Sequence, residues 1–82
     1  MTQDMIQKKR ILYQADHRGC KEADIILGRF AVANVDILTA QELDILEELL
    51  TLDDELILCW VMGKEEPPQK LSGIIRKISE TF

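Results

Sequence analysis

A short polar segment, Arg18-Gly19-Cys20-Lys21-Glu22, carries the residues in this chain that are best suited to recognition chemistry. It separates two segments that both have helical periodicity, so it is predicted to form a tight corner. Arg18 can donate paired hydrogen bonds to a carboxylate or to backbone carbonyls. Gly19 can adopt a positive φ and allows another backbone to come close. The segment is therefore either a recognition site or an ordinary surface turn with a solvated arginine.

Three further side chains in or beside this corner have two interpretations each. Glu22 falls in the first turn of the following helix, where it could favour the helix dipole or position a residue of a partner. His17 adjoins the corner, and histidine is the side chain whose charge changes near physiological pH, but an ordinary surface histidine is the simpler interpretation. Asp24 is expected to pair with Lys21 or Arg29.

The chain lacks the residue sets that catalysis requires. It has one histidine and two cysteines, Cys20 and Cys59, which are too few and too far apart for a metal knuckle. Cys59 lies in an apolar run and is predicted to be buried. Cys20 lies among charged residues, which leaves a redox-sensing thiol as one alternative. Without a nucleophile–base pair or a metal cluster, the sequence predicts neither a catalytic residue nor a metal ligand, so the protein is not expected to be an enzyme.

Composition limits the remaining classes. A chain of 82 residues with 46% hydrophobic residues predicts one domain, residues 1–82, with one small core. Ten basic and 15 acidic residues give a net charge of −5, which argues against nucleic-acid binding and against adsorption to anionic membranes. The longest apolar run, Leu56–Met62, is far shorter than the roughly 20 residues that cross a bilayer, so no membrane insertion is expected. The N-terminus lacks the features of a signal peptide, which predicts a cytoplasmic, bacterial protein.

The apolar residues recur with helical spacing along the whole chain, which predicts five helices and no sheet. A first helix over residues 3–16 and a second over 21–32 should bury two apolar stripes. The first stripe is Met5, Ile6, Lys9, Leu12 and Tyr13, and the second is Ala23, Ile26, Leu27 and Phe30.

The other three helices have clearer boundaries. Thr39 and Glu42 form a capping-box pattern at the start of the third helix. Gly63 fits the end of the fourth, which is apolar on all sides and is predicted to lie at the centre of the bundle. The fifth helix is predicted over residues 69–82. The third and fifth helices should bury Leu43, Leu46, Leu49, Leu50, Leu71, Ile74, Ile75 and Ile78, whereas the acidic residues Glu42, Asp44, Glu47 and Glu48 should form a solvated face.

The order and spacing of these landmarks resemble the succinate dehydrogenase assembly factor family, the SdhE-like flavinylation factors. The similarity rests on several features in the same order: Ile11-Leu12-Tyr13, Arg18-Gly19-x-x-Glu22, Asp24 with Phe30, Thr39 with Glu42, Leu49-Leu50 followed by an acidic cluster, and Trp60 shortly before Gly63. It covers the chain from about residue 8 to the fifth helix. His17, Cys20 and Cys59 depart from the residues that are common in the family.

This resemblance implies an all-α, five-helix antiparallel bundle that is not an enzyme. Members of the family bind the flavoprotein subunit of succinate dehydrogenase, and in some bacteria that of fumarate reductase, and they promote covalent attachment of FAD to that partner. The partner-binding residues would be Arg18, Gly19 and Glu22, with His17 and Asp24 beside them. FAD would belong to the partner, and this chain would not bind it stably. A small helical adaptor that binds its target through the apolar last helix, unrelated to flavinylation, is the alternative.

Overall fold

Five helices make up most of the chain in a computed structural model that describes residues 3–81. They are α1 (Gln3–Asp16), α2 (Lys21–Asn34), α3 (Ala40–Leu49), α4 (Asp54–Val61) and α5 (Gln69–Thr81). No strand occurs in this range. The predicted all-α bundle and the order of its helices are confirmed. Phe82, the predicted end of the last helix, lies outside the described residues.

Local chemistry sets the predicted helix ends. The Thr39 hydroxyl accepts a hydrogen bond from the Glu42 N–H at 3.1 Å, and the Glu42 carboxylate accepts one from the Thr39 N–H at 2.9 Å. This reciprocal pair confirms the capping box. After α4, Gly63 has φ +77°. The N–H groups of Gly63 and Lys64 donate back into the last turn of α4, which is the Schellman arrangement for ending a helix.

One hydrophobic core connects the helices. Four residues predicted to be buried, Leu27, Phe30, Leu46 and Leu49, all belong to it, together with Ile57 and Trp60 of α4. Helix α5 adds all four of its predicted apolar residues, α3 adds Leu43, and Leu50 follows directly after α3. Fully burying one leucine or isoleucine side chain stabilises the fold by about 1.5–3 kcal/mol, so these residues supply most of the driving force for folding.

The predicted buried stripe of α1 is wrong. Four of its five members are exposed, namely Met5, Ile6, Lys9 and Tyr13, and Leu12 is half-buried. The side chains that face the core are instead Gln7, Ile11 and Ala15, four residues apart. Both stripes satisfy helical spacing, and the one that is buried contains a glutamine and a small alanine. It is therefore the less hydrophobic of the two, which is why the apolar pattern pointed to the wrong face.

Helix α4 is not buried on all sides as predicted. Ile57 and Trp60 face the core, whereas Leu56 and Met62 are exposed. Cys59, predicted to be buried, is half-buried, and both cysteines are free thiols. The helix has only eight residues and packs against α5, so one face of its two turns meets the core while the other meets solvent.

The acidic face of α3 does more than contact solvent. Each of its four carboxylates bonds to a neighbouring helix: Asp44 to Gln7, Glu47 to Arg10 and Gln7, Glu48 to Lys70, and Glu42 to Lys77. The Arg10 guanidinium makes two bonds to Glu47, at 2.7 and 3.1 Å, and these lower the pKa of that carboxyl. The charges therefore link α3 to α1 and α5, although solvent screening keeps the contribution of each exposed pair to stability small.

Candidate functional site

Gly19 is the turning point between α1 and α2. It has φ +88°, so the chain uses the conformational freedom that the sequence analysis noted for a glycine at this position. Its backbone is exposed, and a Cβ added there would meet no heavy atom within 4 Å. The space above Gly19 is therefore open, and a second molecule could bring its own backbone against the corner without displacing any atom of this chain.

The Arg18 side chain turns inward from this corner. Its Nε donates to Asp54 Oδ1 at 2.6 Å, its Nη2 donates to the Leu52 carbonyl at 2.6 Å, and its Nη1 donates to the Leu50 carbonyl. The side chain is only 9% exposed. Arg18 is thus not a solvated surface charge. The paired contacts that the sequence suggested for a partner are made within the chain, to the segment that joins α3 to α4.

The end of α3 explains why a guanidinium fits there. The last carbonyls of a helix lack intrahelical donors and carry the negative end of the helix dipole. Leu50 and Leu52 lie just after α3, and their carbonyls gain a charged donor from Arg18. Asp54, in the first turn of α4, adds a full negative charge. The sequence analysis did not single out Asp54, and its pairing with Arg18 was not predicted.

Asp24 holds the other side of the corner. Its half-buried carboxylate accepts a hydrogen bond from the Arg18 backbone N–H at 2.7 Å. The predicted ion pairs of Asp24 with Lys21 or Arg29 are absent among residues 3–81, so that expectation is corrected. The nearer backbone donor explains the difference, because it satisfies the carboxylate without ordering a long side chain. Arg18 is thereby tied to α2 by its main chain and to the α3–α4 segment by its side chain.

His17 forms the exposed edge of the corner together with Tyr13. The two rings stack, with centroids 4.0 Å apart and planes 13° from parallel. His17 Nδ1 lies 2.9 Å from the Tyr13 carbonyl oxygen, so the imidazole can donate to one of the orphan carbonyls that end α1. Tyr13, which the sequence analysis assigned to the core, therefore belongs to the surface beside Gly19. Its spacing of four residues from His17 was the signal that could have placed it there.

Glu22 is exposed in the first turn of α2. Its carboxylate makes no hydrogen bond or ion pair within residues 5–81, the side chains described in the structure. The corner thus brings all five predicted residues together but divides them into two sets. Gly19, Glu22 and His17 face solvent, whereas Arg18 and Asp24 form its internal anchor.

An apolar groove between α1 and α2 begins beside the anchor. It includes Asp24 and continues over the exposed side chains of Ile25 and Val32. Its other lining residues are Leu12, Asp16, Gly28, Arg29 and Ala33. Large exposed apolar side chains that share one groove are typical of interaction sites. Sequence reasoning missed this groove because Ile25 and Val32 lie outside the buried stripe of α2.

Within residues 3–81 no group of three or more histidine, cysteine or acidic side chains is arranged to hold a metal ion. None of the helices in that range is sufficiently long and apolar to cross a bilayer. Fold and site together define a small all-α bundle with an exposed corner between its first two helices.

The family model described as flavinator of succinate dehydrogenase matches residues 9–82, so this chain belongs to that family. The FAD assembly factor SdhE of Acetobacter pasteurianus is 35% identical over 75 residues, which are 90% of this chain and 69% of the relative. The FAD assembly factor SdhE of Legionella pneumophila strain Lens is 36% identical over 72 residues, which are 88% of this chain and 90% of the relative.

A eukaryotic relative is similar over a comparable stretch. The mitochondrial succinate dehydrogenase assembly factor 2 of Dictyostelium discoideum is 35% identical over 71 residues, which are 87% of this chain and 50% of the relative. No solved structure matches the chain significantly. The resemblance inferred from the order of sequence landmarks is therefore confirmed by family membership.

Proposed function

We propose that this protein is an assembly factor that binds the flavoprotein subunit of succinate dehydrogenase and promotes covalent attachment of FAD to it. The observation that carries the proposal is family membership over residues 9–82, together with relatives named FAD assembly factor at 35–36% identity. The flavoprotein subunit of fumarate reductase is a second candidate partner. The cytoplasmic location stays a prediction.

The exposed part of the corner is the proposed contact surface. Gly19 offers open backbone, and Glu22 offers a carboxylate that has no partner among the side chains of residues 5–81. The stacked Tyr13 and His17 rings offer a flat aromatic edge beside them. Aromatic side chains and unpaired charges next to accessible backbone suit the recognition of a folded partner, because apolar and polar contacts can form at the same surface.

The proposed mechanism is conformational. In it the partner holds FAD and supplies the reacting groups, and this chain supplies binding energy only, so it is not an enzyme and does not bind FAD stably. A binding protein can shift a partner between two states only by the difference in its affinity for them. The expected effect is a higher population of the flavoprotein state in which the covalent bond forms.

Complex formation with purified subunits tests the proposal. FAD-free flavoprotein subunit of succinate dehydrogenase is titrated with this protein in a calorimeter, and the subunit of fumarate reductase is titrated in parallel. Saturable binding to at least one subunit is expected. Absence of binding to both subunits, with and without FAD, would contradict the proposal.

The alternative of an adaptor that binds through its last helix loses its structural basis. Such an adaptor needs an apolar face on α5 that is free for a partner. All four apolar residues of that face are buried in the core: Leu71, Ile74, Ile75 and Ile78. A redox role for Cys20 is the remaining alternative. Unusually fast reaction of the thiol with iodoacetamide, compared with an unstructured cysteine peptide, would support it.

A further inference from the structure

Arg18 joins three parts of the fold at one residue. Its main chain follows α1, and its backbone N–H donates to Asp24 of α2. Its guanidinium donates to the Leu50 and Leu52 carbonyls and to the Asp54 carboxylate, which lie between the end of α3 and the start of α4. The partners of the guanidinium lie 32 to 36 residues away along the chain. The position of the corner relative to the rest of the bundle therefore depends on a contact between distant segments.

Other supports of the corner are few. The N-cap of α2, Cys20, makes no side-chain hydrogen bond to the helix that it begins. Gly19 adds no side chain, and Lys21 and Glu22 are exposed. Cys20 is half-buried against the core. Without the guanidinium contacts, a segment with a flexible glycine at its centre would retain the bond between the Arg18 N–H and Asp24, the bond from the Asp24 N–H to the Cys20 carbonyl, the contacts of His17 with Tyr13 and the partial burial of Cys20. These hydrogen bonds all lie within α1, α2 and the corner between them.

We propose that Asp54, acting through Arg18, is a positioning residue that holds the Gly19 corner in the conformation that binds the flavoprotein. The inference rests on the proposed function, but it assigns a role to a carboxylate that lies outside the exposed part of the corner. Of the three acceptors of the guanidinium, Asp54 is the one that a side-chain substitution removes directly. The Asp54 side chain is 20% exposed, so it is shielded from most of the solvent competition that weakens surface pairs.

The predicted loss of affinity follows from the fraction of molecules in which the corner has the conformation that binds the partner. If removal of the carboxylate leaves the corner correctly placed for one tenth of the time, the apparent dissociation constant for the partner rises about tenfold. The same opening exposes the Cys20 thiol. Its alkylation rate therefore reports on the position of the corner without requiring any partner.

The experiment compares Asp54→Ala with Asp53→Ala in a Cys59→Ser background. Asp53 is the adjacent carboxylate, so its removal changes the net charge by the same amount. Its side chain is exposed and makes no capping bond to α4. Affinity for the FAD-free flavoprotein subunit, the rate of Cys20 alkylation by iodoacetamide and the melting temperature are measured for each. Asp54→Ala should bind about tenfold more weakly and react faster at Cys20, whereas Asp53→Ala should match the parent protein in both. Asp54→Asn keeps an acceptor oxygen and should restore part of both properties.

Two results would overturn the inference. One is parental affinity in folded Asp54→Ala. The other is weaker binding with an unchanged Cys20 rate, which would mean that Asp54 touches the partner directly. If Asp54→Ala does not fold, Arg18→Lys is judged by the same two criteria, because one ammonium group cannot satisfy all three acceptors. If the parent protein does not bind the subunit, the proposed function fails, whereas the Cys20 rates still decide whether Asp54 holds the corner.

Discussion

Replacing Gly19 by arginine or by alanine distinguishes two effects: the backbone strain of a positive φ, which both variants share, and the blocking of partner access, which only arginine causes. At φ +88° any residue with a Cβ is strained, and the cost of a left-handed conformation is about 1–2 kcal/mol. Because an added Cβ meets no heavy atom within 4 Å, no steric term is added at the Cβ of either residue. A loss of 1 kcal/mol lowers the melting temperature by about 4–8 °C in a domain of this size. Both variants should therefore melt about 4–16 °C below the parent.

The two variants should differ in binding. In Gly19→Arg a long charged side chain occupies the space that a partner backbone would enter, so affinity for the flavoprotein subunit should fall by more than about 100-fold. Gly19→Ala carries the same strain with one methyl group and should weaken binding by no more than about fivefold. Calorimetric titration and thermal unfolding followed by circular dichroism measure the two effects. Parental affinity in Gly19→Arg would refute the placement of the interface, and a much larger stability loss in Gly19→Arg than in Gly19→Ala would refute the open space above Gly19.

Three further predictions concern the core, the pH dependence and the mechanism. Leu46→Ala should lower the free energy of unfolding by about 2–5 kcal/mol, because the side chain is fully buried, and urea denaturation measures this. The Thr39 N–H and Lys77 lower the pKa of Glu42. The contribution of Glu42 to stability is therefore present at pH values above the ordinary glutamate pKa and is lost as the pH falls through the lowered pKa. Glu42→Gln should flatten this fall of the melting temperature on the acid side when the melting temperature is measured against pH. Glu22→Ala should slow flavin attachment at low concentration and recover most of the rate at high concentration; a saturated rate reduced by roughly 10²–10⁴-fold with unchanged affinity would instead make Glu22 a reacting group.

The parts of the fold that the sequence predicted well depend on local interactions. The capping box of Thr39 and Glu42 and the end of α4 at Gly63 are formed within a few residues, so their patterns are visible in the sequence. The apolar stripe of α5 leaves a single candidate face. Helix α1 differs, because its sequence contains two possible stripes, and only packing against α2 and α3 selects the one with Gln7, Ile11 and Ala15.

The candidate site shows the same division. The sequence indicated a glycine suited to a positive φ at Gly19 and placed Glu22 in the first turn of α2, and both features depend on the corner itself. It could not show the acceptors of Arg18, since two of them are backbone carbonyls, which have no sequence signature, and all three lie more than 30 residues away. Arginine beside glycine suggested an outward contact, whereas the folded chain uses the guanidinium to fix the corner from inside.

Covalent flavin on the partner is the most direct test of the central claim. FAD-free flavoprotein subunit of succinate dehydrogenase is incubated with FAD, with and without this protein, then denatured and separated on a gel, and flavin fluorescence of its band is measured over time. Gly19→Ala and Gly19→Arg serve as the matched pair of variants. The account predicts faster flavin incorporation with the parent protein and with Gly19→Ala, and little acceleration with Gly19→Arg. Equal fluorescence with and without the parent protein, under conditions in which the two proteins bind, would contradict it.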